Sequence, residues 1–197
     1  MSPRLVRVAL LRHGEAAAGD RCAGRRFDPP LTLSGHREAQ AAVARLDEVL
    51  GGPPDRVVCS PAARARETAA AWTDTPTVEP RLAERDWGAW EGRPWAELWT
   101  AMPWVANDME AYLAFCPPAG ETVDAVSARV RRALADLANE GRGETVIAVT
   151  HGGPLRLAVA EALGLRPAAA FGMPAPTGRA AVVVARESGW QLELVGG

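Results

Sequence analysis

Three short apolar runs, each ending in residues able to do chemistry, constrain this chain more than any other feature. Leu5 to Leu11 is almost uninterrupted and β-branched at Val6 and Val8, and it delivers Arg12, His13 and Gly14. Arg56 to Cys59 delivers Ser60 and Pro61, and Thr145 to Val149 delivers Thr150, His151, Gly152 and Gly153. Runs this short without polar alternation read as strands buried on both faces, the pattern of a parallel sheet covered by helices.

The segments between them have helical spacing. Thr32 can cap a helix carrying Ala39, Ala42, Val43, Leu46, Val49 and Leu50, closed by Gly51-Gly52. Ser60 as N-cap with Pro61 at the first helical position predicts a helix to about Trp72. From Glu121, the residues Val123, Val126, Val130, Leu134 and Leu137 mark an amphipathic helix ended by Gly141, and Pro154 to Leu163 predicts another before Gly164. Two β-rich runs, Ala180 to Val184 and Trp190 to Val195, flank a turn at Glu187-Ser188-Gly189. The fold class expected is α/β: a three-layer α/β/α sandwich with a mostly parallel central sheet.

No repeat or linker divides the 197 residues, so one domain is expected over 1–197, with a tryptophan-rich covering segment at about 82–118. Five of the seven tryptophans, Trp87, Trp90, Trp95, Trp99 and Trp104, fall there, as core packing or as a wall for a substrate ring. A net charge of -2 gives no general attraction for polyanions, so neither nucleic acid nor a membrane surface is expected as a partner. Cys22, Cys59 and Cys116 lack disulfide or metal-ligand spacing. The apolar run after Met1 is too short for a signal core or a span, so a cytoplasmic location is expected.

In parallel sheets ligands bind beyond the carboxyl ends of the strands, where these three ends can converge. Two of the three histidines follow apolar strands and precede a glycine, and Gly14 and Gly152 are read as letting the backbone approach an anion. A histidine with a free ring nitrogen can attack phosphorus if cations neutralise the phosphate oxygens. Arg12 and Arg64 can grip those oxygens bidentately, so the chemistry requires no cofactor and no metal. The leaving alkoxide needs a proton from a carboxyl group at the rim, and Glu84 is the candidate. The bland alternatives are hydrogen-bonded core histidines, ordinary salt bridges and an exposed loop carboxylate. His36, Arg66, Arg131 and Arg132 read as surface residues.

Four segments resemble the histidine phosphatase superfamily, the phosphoglycerate mutase-like proteins. They are Leu10-Leu11-Arg12-His13-Gly14-Glu15, Cys59-Ser60-Pro61-Ala62-Ala63-Arg64, Leu82-Ala83-Glu84 through Glu91-Gly92, and Val149-Thr150-His151-Gly152-Gly153. The resemblance implies that His13 is the phosphorylated nucleophile, that Arg12, Arg64 and His151 bind the phosphoryl group, and that Glu84 is the acid. Gly24 and Gly152 are further candidates for phosphate binding. The chain departs from the family after Arg-His-Gly, where Glu15 is followed by Ala16, Ala17, Ala18 and Gly19 in place of the usual threonine and asparagine. The loop from Gly19 to Pro30 is also shorter than the family norm.

The segments Trp87-Gly88-Ala89-Trp90-Glu91-Gly92 and Pro117-Pro118-Ala119-Gly120-Glu121-Thr122 resemble the α-ribazole phosphatase branch, which removes a 5′-phosphate from a benzimidazole riboside. The partner expected is thus a small-molecule phosphate ester, with a homodimer left open. Phosphoglycerate mutase-type transfer and a catalytically silent module that binds a phosphate ester or phosphoprotein are the alternative readings. The short run from Gly92 to Gly120 favours hydrolysis over retention of the product.

Overall fold

The computed structural model describes residues 5–141, 143–186 and 189–195. Its strands are β1 (Val6–Arg12), β2 (Arg56–Cys59), β3 (Thr77–Val78), β4 (Thr145–Thr150), β5 (Ala180–Arg186) and β6 (Gly189–Val195). Its α-helices are α1 (Leu33–Leu50), α2 (Ala63–Ala69), α3 (Trp95–Ala101), α4 (Met109–Ala114), α5 (Val123–Glu140), α6 (Gly152–Ala162) and α7 (Pro167–Ala170). One six-stranded sheet runs in the order β3-β2-β4-β1-β5-β6. The pairings β3-β2, β2-β4 and β4-β1 are parallel, and β1-β5 and β5-β6 antiparallel.

The period-2 geometry of a strand splits the apolar runs between two faces. Val6, Val8 and Leu10 of β1 pack on one side with Val146 and Ala148 of β4, against α5 and α6. Ala9 and Leu11 point the other way with Ile147 and Val149, against Ala42, Leu46 and Leu50 of α1 and Ala65 and Ala69 of α2. This is the α/β/α sandwich expected. The short strands are mostly apolar because both their faces are covered.

The helix punctuation follows the sequence closely at α1 and α5. Thr32 accepts from the Gly35 amide, and Gly51 closes α1 in a left-handed conformation (φ 83°) while donating to Asp47. Thr122 caps α5 through the Ala125 amide. Gly141 ends α5 with an ordinary negative φ, and its lack of a side chain has a packing cause. A Cβ there would lie 2.4 Å from Cγ2 of Val6 on β1.

The expected helix after β2 differs. It begins at Ala63 and ends at Ala69, and its N-cap is Ala62, with no side-chain cap. Ser60 does not cap it because its hydroxyl lies 2.7 Å from Nε2 of His151. Asp28 takes the Ala63 amide instead, at 2.8 Å. The helix expected over 154–163 starts two residues earlier, at Gly152, with His151 as its N-cap. Neither the two-residue edge strand β3 nor the four-residue α7 was legible in the sequence, both being too short for periodicity. In the tail, Glu187 and Ser188 of the expected turn lie outside the described residues.

Two glycines bring the start of α1 against the end of β1. A Cβ on Gly14 would sit 2.3 Å from the Gly35 carbonyl oxygen, and one on Gly35 would sit 2.1 Å from that of Glu15. Neither has a positive φ, so space and not conformational freedom selects glycine. Gly14→Ala should therefore cost about 1–3 kcal/mol of stability through overpacking against rigid backbone. Urea unfolding monitored by tryptophan fluorescence checks this, and an unchanged midpoint would contradict the close approach.

Candidate active site

Parallel pairing sets the ends of β1, β2 and β4 side by side. Arg12 is in register with Thr150, and the ladder continues one step further through a 2.9 Å bond from the His13 amide to the Thr150 carbonyl. On the far edge of β4, the Ser60 amide donates to the Val149 carbonyl at 2.9 Å. The chain leaves β1 for α1 on one face and β4 for α6 on the other, which opens a crevice between adjacent strand ends. A cavity of about 530 Å³ lies there, lined by Arg12, His13, Arg64, Glu84, Gly152 and Gly153 among others.

His13 is 7% exposed. Its Nδ1 lies 2.7 Å from the Gly14 carbonyl oxygen, which can only accept, so Nδ1 carries the proton and Nε2 a lone pair. Arg64 donates to that lone pair through Nε at 3.3 Å. Burial first, then the positive charges of Arg64 and Arg12, push the His13 pKa down to about 3. The ring is neutral at ordinary pH, the state in which a histidine can act as a nucleophile.

Arg64, 1% exposed, is fixed at three points: Nε at His13, Nη1 on Asp28 at 2.9 Å and Nη2 on the Gly24 carbonyl at 2.9 Å. Thr68 closes the arrangement, accepting from the Gly14 amide at 3.0 Å and donating to the Arg64 carbonyl at 2.7 Å. Arg12 donates through Nη1 to the Ala175 carbonyl, while its buried Nε has no partner among the described residues. Neither Arg12 nor Arg156, whose guanidinium flanks the same space over Gly152, forms a salt bridge among the described residues. Burial lowers the pKa of Arg12 and Arg64, and Glu84 opposes it. Clustered, desolvated guanidiniums beside a cavity favour an anion.

His151 is wholly buried behind His13, the ring centroids 5.0 Å apart and the planes nearly edge-on. Burial, then Arg64, hold its pKa well below the ordinary histidine range. Glu84 reaches the cavity from the loop before Arg85, its Oε1 accepting the Arg85 amide at 2.8 Å. Gly153 is bare where a Cβ would stand 2.8 Å from that same oxygen. The loop is tied down by Thr150, which donates to the Leu82 carbonyl at 2.7 Å, and by buried Arg129, which donates to the carbonyls of Arg81 and Glu84 at 2.6 and 3.0 Å.

The structure thus brings His13, Arg12, Arg64, Glu84 and Gly152 to one cavity with His151 directly behind. Gly24 is not on the cavity wall. A Cβ there would collide with the carboxylate of Glu91, which gathers the amides of Arg25, Arg26 and Phe27 at 2.9, 2.6 and 2.7 Å. His36, Arg66, Arg131 and Arg132 are exposed, as expected.

Sequence reasoning missed Arg85, Tyr112 and Arg156 on the cavity wall. Arg156 lies four residues after Gly152 on α6, a spacing that places both on one helix face and could have found it. The tryptophans divide: Trp87, Trp95 and Trp99 line the cavity, while Trp90 and Trp104 pack on Phe115. Buried Arg85 lies 4.5 Å from the centroid of the Trp87 ring.

The sequence profile of the histidine phosphatase superfamily (branch 1) matches residues 8–196. The chain belongs to this family. It is 33% identical over 173 residues to the adenosylcobalamin/alpha-ribazole phosphatase of Escherichia coli, covering 81% of this chain and 80% of that protein. It is 34% identical over 164 residues to the bifunctional protein Rv2228c of Mycobacterium tuberculosis, covering 80% of this chain but 44% of that longer protein. The chain therefore spans less than half the length of that mycobacterial relative. Among solved structures, a mycobacterial glucosyl-3-phosphoglycerate phosphatase, Rv2419c, superposes with a TM-score of 0.83 at 26% identity, covering 98% of this chain and all of that one (100%). No helix among the described residues is long and apolar enough to cross a membrane.

The neutral histidines carry a signature in stability. An unfolded histidine titrates near pH 6.5, whereas His13 in the fold binds its proton only near pH 3. Between these values the unfolded chain holds a proton that the folded one lacks, so stability is full above about pH 6.5 and declines as pH falls. Urea midpoints of the ligand-free protein from pH 7 to pH 4 should fall less steeply in His13→Asn, by up to one proton. An identical slope in the two proteins would show that His13 is not held neutral.

Proposed function

We propose that this chain is a phosphomonoesterase that acts on a small phosphate ester through a phosphohistidine at His13. The observation that carries the reading is the His13 ring itself: neutral, its Nδ1–H tied to the Gly14 carbonyl, its Nε2 lone pair held beside Arg64 at the cavity. In the first step Nε2 forms a bond to phosphorus as the bond to the alcohol oxygen breaks, and Glu84 gives its proton to the departing alkoxide. In the second, water attacks phosphorus, Glu84 takes back a proton, and the N–P bond breaks to free His13 and inorganic phosphate. Arg12 and Arg64 neutralise the phosphoryl oxygens, His151 offers them a hydrogen bond, and the bare Gly152 leaves room for them. Arg64 Nε must exchange its bond to His13 for one to a phosphate oxygen as the ester arrives. These residues supply nucleophile, clamp and acid without a metal.

For the ester itself, α-ribazole 5′-phosphate is the first candidate. Two things support it: the activity named for the Escherichia coli relative, and the Trp87, Trp95 and Trp99 wall, on which a flat heterocycle can stack.

Phosphate release from p-nitrophenyl phosphate and from α-ribazole 5′-phosphate, in EDTA and with His13→Ala as control, tests the proposal. Turnover that survives EDTA and disappears in the variant is expected. Phosphate binding without turnover would instead indicate a silent binding module. Transfer to an added phosphoglycerate in preference to water would indicate mutase-type chemistry.

The acid assignment has its own readout. Glu84→Gln should lower kcat on alkyl phosphates by about 10²–10⁴-fold but far less on p-nitrophenyl phosphate, whose leaving group departs without a proton. Equal losses on both would remove Glu84 from the acid role.

A further inference from the structure

Ser60 stands between β2 and α2, wholly buried, and neither caps the helix nor touches the cavity. Its hydroxyl has two neighbours among the described residues. The Ala62 amide donates to it at 3.3 Å, and Nε2 of His151 lies 2.7 Å away. A serine hydroxyl carries one proton to give, and among the described residues no acceptor other than Nε2 of His151 is within reach. If Nε2 instead carried the ring proton and donated to Ser60, two groups would be stranded. The Ser60 O–H would have no acceptor, and Nδ1 of His151, already without a partner among the described residues, would be a buried lone pair. With the serine as donor only one group is stranded, an Nδ1–H. That group is a hydrogen-bond donor on a wholly buried ring standing 5.0 Å from His13 and acted on by the positive charges of Arg64 and Arg12.

The pairing of donors with acceptors thus fixes the tautomer, and the negative charge of a phosphate favours the same one. A lone pair at Nδ1 would repel the oxygens of a phosphoryl group at His13, whereas an Nδ1–H offers them a bond. Ser60 takes this role because its own amide is locked into the ladder by the Val149 carbonyl, which holds the hydroxyl level with the end of β4, where His151 begins.

From these contacts we infer that Ser60 is a positioning residue: by donating to Nε2 it fixes His151 as the Nδ1–H tautomer, which then donates to a phosphoryl oxygen. The second half of this inference rests on the phosphatase reading, while the tautomer does not.

The test begins on the unmodified protein without substrate. Long-range ¹H–¹⁵N correlation spectra of histidine-labelled protein distinguish the two tautomers of a neutral ring directly. His151 should show a protonated Nδ1 and an unprotonated Nε2, and the opposite pattern would overturn the inference even if the enzyme is active. Ser60→Ala should lose the fixed tautomer and bind inorganic phosphate about tenfold more weakly, the scale of one lost hydrogen bond to a charged group. Ser60→Thr, which keeps the hydroxyl, should restore both. A Ser60→Ala protein that keeps the Nδ1–H tautomer and the phosphate affinity would sink the role, whatever its melting temperature. Because tautomer and phosphate binding are read without turnover, an inactive protein would count against the phosphatase proposal and leave this inference standing or falling on its own spectra.

Discussion

The parallel register of β1 on β4 is the constraint on which the site depends. Because Arg12 pairs with Thr150, the next residue of each strand, His13 and His151, emerges at the same height. Two imidazole rings can then stand 5.0 Å apart without any long-range adjustment. A slip of one residue would send every β1 side chain to the opposite face, exchanging the residues of the two cores and carrying Arg12 to the α1 and α2 side of the sheet. Register is protected by the apolar pattern itself, with Val6, Val8 and Leu10 belonging to one core and Ala9 and Leu11 to the other. The same residues that make the sandwich therefore aim the chemistry.

Placing these groups at the strand ends costs desolvation of cations, and the structure offsets it only in part. Arg64 is compensated by Asp28 and by the Gly24 carbonyl. Arg12 has a carbonyl but no carboxylate, and its Nε has no partner among the described residues. An incompletely compensated cation in a buried wall destabilises the empty protein and is relieved by an anion. Burial first, and then the same field, holds both histidines neutral, so the cations that attract an anion also help to keep the His13 Nε2 lone pair free of a proton. Attraction for an anion and the neutrality of the two rings thus share one cluster of cations in a buried wall.

Much of the fold was legible because its signals are local. Thr32, Thr122 and Gly51 act on backbone groups within four residues, and the apolar strands declare themselves by composition. The site was legible to the extent that its residues sit at strand ends. Glycines were read less well, because their reasons are distant: Gly14 is set by Gly35, Gly24 by Glu91 and Gly141 by Val6. Ser60 was misread for the same reason. A serine before a proline looks like a helix cap until a histidine 91 residues away claims its hydroxyl. Arg129 and Glu91, which hold the loops around the site, carry little local signal, since most of their backbone partners are 45 to 66 residues distant: Arg129 reaches back 48 and 45 residues to Arg81 and Glu84, and Glu91 gathers amides 64 to 66 residues earlier.

The tryptophan-rich segment shows how a covering element can be both packing and wall. Trp87 stacks near Trp90 and meets Trp95 edge-on at 5.1 Å, and Trp95 in turn stacks on Trp99 at 5.2 Å. The row begins in the core and ends half-exposed, with Trp99 at 47% exposure. Rings so coupled cannot be repositioned singly, so the apolar side of the cavity is preorganised by the same contacts that bury it. Arg85, adjacent in sequence to Glu84 and packed over Trp87, links this wall to the carboxylate that reaches the cavity. A displacement of the aromatic row would therefore disturb the Arg85 contact next to Glu84, so in the proposed reaction the wall and the acid are placed by neighbouring residues.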